Sequence, residues 1–174
     1  LDGQDQMLPA GRFLWLDWAQ AEVLAYEMDE RAQLNRITAE QDGYRKMSAI
    51  HQRTLTKIDD GWRVADAILP YNRPHQKEHL ACLTWLLPDW SWQLEKGYQL
   101  HINGPDFGFR LKIDGAEAIN IFRAGERLHG AMDPKPIWGW TSPTYGVKQP
   151  ALMCIVVASG KIPIQFTSTW TFER

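Results

Sequence analysis

Five histidines, two cysteines and twenty-one carboxylates are the groups from which this chain could build a reactive site. His75 and His79 stand four apart with Glu78 beside the second, a spacing that binds zinc when both imidazoles share a helix face. Pro74 and the strand-like run that follows oppose a helix, so these read as loop histidines next to a strand. His51 and Arg53 alternate along AIHQRTLT, which sets both on one strand face, where they could meet an acidic sugar. A solvated strand face accounts for the same pair at least as well. Asp66 lies in WRVADAIL among apolar neighbours. A buried carboxylate must be paired, so Asp66 is expected to bond a nearby arginine or backbone amides as an anchor. The sharper alternative is a proton-donating acid of raised pKa. DGQDQ at Asp2 to Gln6 lacks the spacing and closing Glu of a calcium loop and reads as a turn. The chain has no G-x-S-x-G, no H-E-x-x-H and no glycine-rich phosphate loop. Asp17, Glu22, Glu27, Asp42, Asp59 and Asp60 cannot be set in pairs at the separation glycoside hydrolysis needs. No catalytic residue and no metal ligand is therefore assigned.

The elements that must position these groups have a period of two. Phe107, Phe109, Leu111 and Ile113 alternate with polar residues and stop at Asp114-Gly115. Tyr98, Leu100 and Ile102 precede Asn103-Gly104, and Trp62, Val64 and Ile68 share a face after Asp60-Gly61. Ile162, Ile164 and Phe166 form another face before the Thr-rich TSTWTF. The apolar runs Ala81 to Leu87 and Leu152 to Ala158 suit strands covered on both faces. Asp2-Gly3, Asp42-Gly43 and Ser159-Gly160 complete the turn signals, and 134–150 carries loop chemistry. Residues 19–37 are good helix formers, yet the surrounding pattern favours two strands joined near Asp29 to Arg31. The fold expected is all-β: a single antiparallel sandwich over 1–174 with large twisted sheets.

At 174 residues, 44% hydrophobic and with a net charge of −2, the chain has surface enough for one core and no bulk attraction to nucleic acid or an anionic membrane. Its longest apolar run, LMCIVVA, is too short to span a bilayer, and two cysteines within apolar stretches argue against a disulfide or Cys-zinc scaffold. Nine tryptophans suit either a β core or a sugar-binding cleft. The start at Leu1 on a turn-like segment suggests a chain cut from something longer.

The order DGQDQ (2–6), GRFLW (11–15), AEQDGY (39–44), IHQRTLT (50–56), GWRVADAI (61–68) and HLACLTWLLPD (79–89), closed by SPTYGVKQPALMCIVVASGKIPIQFTSTWTF (142–172), resembles the C-terminal region of heparinase II/III-like polysaccharide lyases. The resemblance spans essentially the whole chain. It implies a β-sandwich that follows an α/α toroid in a parent lyase, often an exported one, acting by β-elimination on an acidic, uronate-bearing polysaccharide such as heparan sulfate, alginate or an exopolysaccharide. In such lyases Tyr and His serve as base and acid while Asn or His neutralises the uronate carboxylate. Those groups, and the zinc ligands, belong to H-G-H-x-D, D-P-G and H-N-T segments before the D-G-x-D-Q sequence, so here they fall upstream of Leu1. Gln41 stands where relatives often carry His. The resemblance therefore implies a catalytically silent chain without a cofactor of its own, with its toroid partner and any zinc of the parent lying upstream. It would brace the substrate cleft and present an unusually apolar surface to the toroid. Trp15 and Trp18, close behind the junction, are candidates for that interface or for stacking on sugar, alongside His51 and Arg53 as substrate-binding residues. A stand-alone carbohydrate-binding module and an assembly domain are the alternatives.

Overall fold

The computed structural model describes residues 1–11, 14–72 and 76–173; Arg12 and Phe13 of the GRFLW segment, and the zinc candidate His75, lie outside them. The strands are β1 (Leu8–Pro9), β2 (Trp15–Leu16), β3 (Ala21–Met28), β4 (Leu34–Gln41), β5 (Ala49–Ile58), β6 (Gly61–Pro70), β7 (Glu78–Leu87) and β8 (Ser91–Glu95). They continue as β9 (Gln99–Asn103), β10 (Gly108–Asp114), β11 (Ala118–Arg123), β12 (Glu126–His129), β13 (Trp140–Thr141), β14 (Gln149–Pro150), β15 (Leu152–Lys161) and β16 (Ile164–Glu173). A single 3-10 turn, Arg45–Met47, precedes β5. Among the described residues no helix is long and apolar enough to cross a membrane.

Two antiparallel sheets face each other. The larger has eight strands in the order β3-β4-β5-β6-β16-β10-β9-β8, the smaller four in the order β12-β11-β15-β7, and β1-β2 and β13-β14 form short ribbons. The core lies between them, with Leu100, Ile102, Leu111 and Ile113 of the large sheet packed with Ile121, Leu152, Cys154 and Val156 of the small one. Full burial of each aliphatic side chain is worth about 1.5–3 kcal/mol. Four strands cannot roof eight. β6, β16, β10 and β9 each contribute buried side chains, whereas every residue of β3 is exposed and β4 has none fully buried.

Residues 19–37 form the expected pair of strands, joined through Asp29, whose carboxylate accepts the backbone N–H groups of Arg31 and Gln33. Three expectations need correction. Ala81 to Leu87 is covered on one face only, because β7 is the edge of the small sheet and its outward column Leu80, Cys82, Thr84 and Leu86 meets solvent. Ser159-Gly160 is no turn: both residues stay in the β15–β7 ladder, which runs on to Lys161 opposite Glu78, and the chain reverses at Ile162-Pro163, where proline has no N–H to extend it. Tyr98, Phe107 and Ile162 fall outside the strands they were assigned to, and the 134–150 loop carries the β13–β14 ribbon.

The Asp60-Gly61 signal works through close approach. β5 and β6 turn over with Ile58 paired to Gly61, and a Cβ on Gly61 would run into the backbone carbonyl of Trp170 on β16. Gly61→Ala should destabilise the chain by about 1–3 kcal/mol, the usual cost of overpacking. Thermal unfolding followed by circular dichroism should show the midpoint falling by roughly 3–10 °C.

Candidate functional site

Where the small sheet ends at β7, the large sheet continues as a single layer through β5, β4 and β3, and its inner face becomes a ledge. Alternation along β5 sets Ala49, His51, Arg53, Leu55 and Lys57 on that face. The register of β5 with β6 pairs Arg53 with Asp66 and His51 with Ile68. Asp66 is 4% exposed and shares its face with buried Val64. Its Oδ1 accepts two hydrogen bonds, from His51 Nε2 at 2.6 Å and from Arg53 Nε at 2.7 Å. An ionised carboxylate only accepts, so His51 carries its proton on Nε2. Burial alone would raise the pKa of Asp66, but the bonds from His51 and Arg53 outweigh it and hold the carboxyl below its ordinary value. Asp66 is thus a charged anchor, and the proton-donor alternative loses its premise.

The guanidinium of Arg53 lies over the indole of Trp85, 5.1 Å from the ring centroid. Trp85 is itself fixed: its Nε1 donates to the buried Ser168 hydroxyl at 3.0 Å, and its ring meets Trp170 edge-on at 5.1 Å. Asp66 Oδ2 and Gln41 Nε2 are buried without a hydrogen-bond partner among the described residues. Asp66 lines a cavity of about 70 Å³ with His51, Tyr44, Leu1 and Phe166, roomy enough for water.

The DGQDQ segment closes one end of this ledge. Asp2 N donates to the Leu80 carbonyl at 2.8 Å, and its carboxylate accepts the Leu80 N–H and His79 Nδ1, each at 2.9 Å, so the segment caps the free edge of β7. Burial opposes ionisation of Asp2, but the Leu80 amide and His79 prevail and lower its pKa. The side chain of His79 is wholly enclosed, with Nδ1 engaged by Asp2. Gly43 is packed so closely on Gln6 and Gln41 that no side chain fits there.

The four sequence candidates separate into two pairs. His51 and Arg53 meet at Asp66. Trp15, 42% exposed, and Trp18, 68% exposed, contact each other instead, through a 2.7 Å bond from the Trp18 indole to the Trp15 carbonyl. With Leu8, Leu14 and Leu16 they make an exposed apolar flap, and Val23, Leu24, Tyr26 and Met28 add a second such surface along β3. Among the described residues no three His, Cys, Asp or Glu gather as a metal site. Sequence reasoning missed Trp85 and Ser168, which the distant strands β7 and β16 bring to the ledge. The Arg53–Asp66 pair did have a signal: with the hairpin turning between Ile58 and Gly61, positions five before and five after fall opposite one another.

A model of the C-terminal region of heparinase II/III-like proteins matches residues 1–170. Among curated proteins none matches the chain. Solved structures with the same fold include a heparinase III, the BT4657 gene product, at TM-score 0.64 and 11% identity over 88% of this chain and 21% of that one. Its form with methylated lysines gives a TM-score of 0.63 at 11% identity, over 88% of this chain and 21% of that one. A mutant of the heparan sulfate lyase HepC from Pedobacter heparinus gives 0.63 at 13% identity, over 88% of this chain and 22% of that one. The chain thus spans about a fifth of the length of these structures.

Removing one member of a buried ion pair costs about 3–5 kcal/mol, and Asp66→Ala should fall near the lower end because Arg53, 36% exposed, can rehydrate. The charge of Asp66 is held to a pH below the ordinary carboxylate value near 4. Its contribution is therefore complete at neutral pH and is lost as the pH falls through the lowered folded value. Urea unfolding between about pH 6 and pH 2 should show stability falling more steeply for the unmodified chain than for Asp66→Asn.

Proposed function

The chain belongs to the heparinase II/III-like C-terminal family, and from that premise we propose that it is the β-sandwich wall of a polysaccharide lyase, silent by itself. In this reading the groups that take the proton beside a uronate carboxylate and expel the linked sugar stand in an upstream α/α toroid, as does any zinc of the parent. The sandwich braces the cleft, and Trp15, Trp18, His51 and Arg53 are its contacts with an acidic polysaccharide or with the toroid. The observation that carries the reading is the outer part of the large sheet, where every residue of β3 is exposed, Leu24 and Tyr26 among them, together with the exposed Trp15 and Trp18. A free-standing domain gains nothing from leaving so much apolar surface in water, whereas a docked one buries it at about 25 cal/mol per Å². The matches of about a fifth of each solved structure's length support the same role.

Ultraviolet absorbance of unsaturated uronate product provides the test. The chain alone should form none from heparan sulfate, alginate or glucuronan, and a longer chain carrying the upstream domain should be active on one of them. Leu24→Asp with Tyr26→Asp should change the stability of the isolated chain by less than about 0.5 kcal/mol, as exposed substitutions do, while lowering the unfolding midpoint and activity of the longer chain. Product formed by this chain alone, or indifference of the longer one to both substitutions, would overturn the proposal.

A further inference from the structure

Two of the arginine–aspartate pairs among the described residues contrast in geometry. Arg123 spends its fork on Asp89, with Nε on Oδ1 at 2.6 Å and Nη2 on Oδ2 at 2.7 Å. Arg53 gives Asp66 only its Nε, and to the same oxygen that His51 occupies. Its Nη1 and Nη2 have no hydrogen bond among the described residues, and the guanidinium lies over Trp85 with the side chain 36% exposed. Asp66 Oδ2 takes no hydrogen bond among the described residues, so Arg53 leaves the second half of its fork unused there. The guanidinium is tethered at one corner, stacked on one face and left open at the other two donors. Charge on the ledge points the same way. Acidic Glu22, Glu27 and Glu40 alternate onto the opposite face of β3 and β4, while the ledge face of β3–β5 carries His51, Arg53 and Lys57 and no carboxylate. Lys57 sits at the far end, bonded to Gln33 and near Asp29.

We infer that Arg53 is the centre of a carboxylate-binding subsite on the ledge, that Asp66 is its positioning residue, and that the ligand is an acidic saccharide presenting a uronate carboxylate. The planar fork of Nη1 and Nη2 matches a planar carboxylate with two parallel bonds. Asp66, His51 and Trp85 remove the rotamer freedom that a long side chain otherwise loses on binding. The inference rests on the reading that the ledge faces a polysaccharide, and it deepens that reading by naming the group recognised.

Calorimetry on the 174-residue chain with a β-1,4-glucuronan hexamer and with cellohexaose, which differ only at the sugar C6, provides the test. The glucuronan should bind at least about tenfold tighter, the worth of a charge-assisted bond, and Arg53→Lys should abolish that difference. Asp66→Asn separates positioning from charge. Removing a negative group should tighten anion binding if only the field matters, whereas loss of the tether should weaken it about tenfold. In the unmodified chain, ¹H–¹⁵N spectra should show the Arg53 Nε–H and Trp85 indole signals moving with glucuronan and not with cellohexaose, a readout independent of how Asp66→Asn folds. Equal binding of the two hexamers, tighter glucuronan binding by Asp66→Asn, unmoved Arg53 and Trp85 signals, or stronger binding of 6-O-sulfated cellohexaose would each overturn the assignment. Failure here, with a longer lyase still dependent on Leu24 and Tyr26, removes the subsite and leaves the wall role standing. Glucuronan binding that persists while the longer enzyme ignores those substitutions does the reverse.

Discussion

A sheet of eight strands packed against one of four leaves a stretch with no second layer, and most of what is distinctive in this protein follows from that mismatch. Over β6, β16, β10 and β9 the two sheets exclude water and the chain builds an ordinary aliphatic core. Past the edge of β7 the same sheet runs on with both faces accessible, and the inward alternation that supplies core residues elsewhere supplies a ledge instead. The ledge is a consequence of strand count, and its polar residues stand in what would otherwise be core positions.

That boundary explains the chemistry of Asp66. Asp66, on the inner face of β6, is nearly fully buried, whereas its partners His51 and Arg53 on β5 lie one strand further toward solvent. Desolvation would drive it neutral if it were alone; two donors on one oxygen keep it charged. The strand geometry places one partner on each side of the transition, so Arg53 can be held from below and still face outward. Trp85, reaching from the edge of the other sheet, ties the two layers together at this point.

Edges are managed in different ways around the molecule. The free edge of β7 is capped at Leu80 by Asp2, whose backbone N–H and carboxylate occupy a carbonyl and an N–H that could otherwise recruit another strand. β3 is left uncapped, with register shifts on either side of Leu24 and after Glu27 and with apolar side chains in water.

Period-two alternation and turn dipeptides made the all-β class, most strand positions and the pairing of Asp66 legible in the sequence, because side-chain direction in a strand is a local property. The short motifs and their order made the family legible for the same reason: they mark turns and strand starts that depend on near neighbours. What the sequence could not reveal was which strands become edges. Ala81 to Leu87 reads like a strand buried on both sides, and only the docking of β7 at the margin of a four-stranded sheet leaves Leu80, Cys82 and Leu86 in water. Likewise His51 and Arg53 were visible as a pair on one face, whereas the tryptophan above them comes from β7 and the serine that fixes it from β16. Sequence determines which way each residue points; strand order and the relative width of two sheets determine what it points at, since those depend on contacts between segments far apart along the chain.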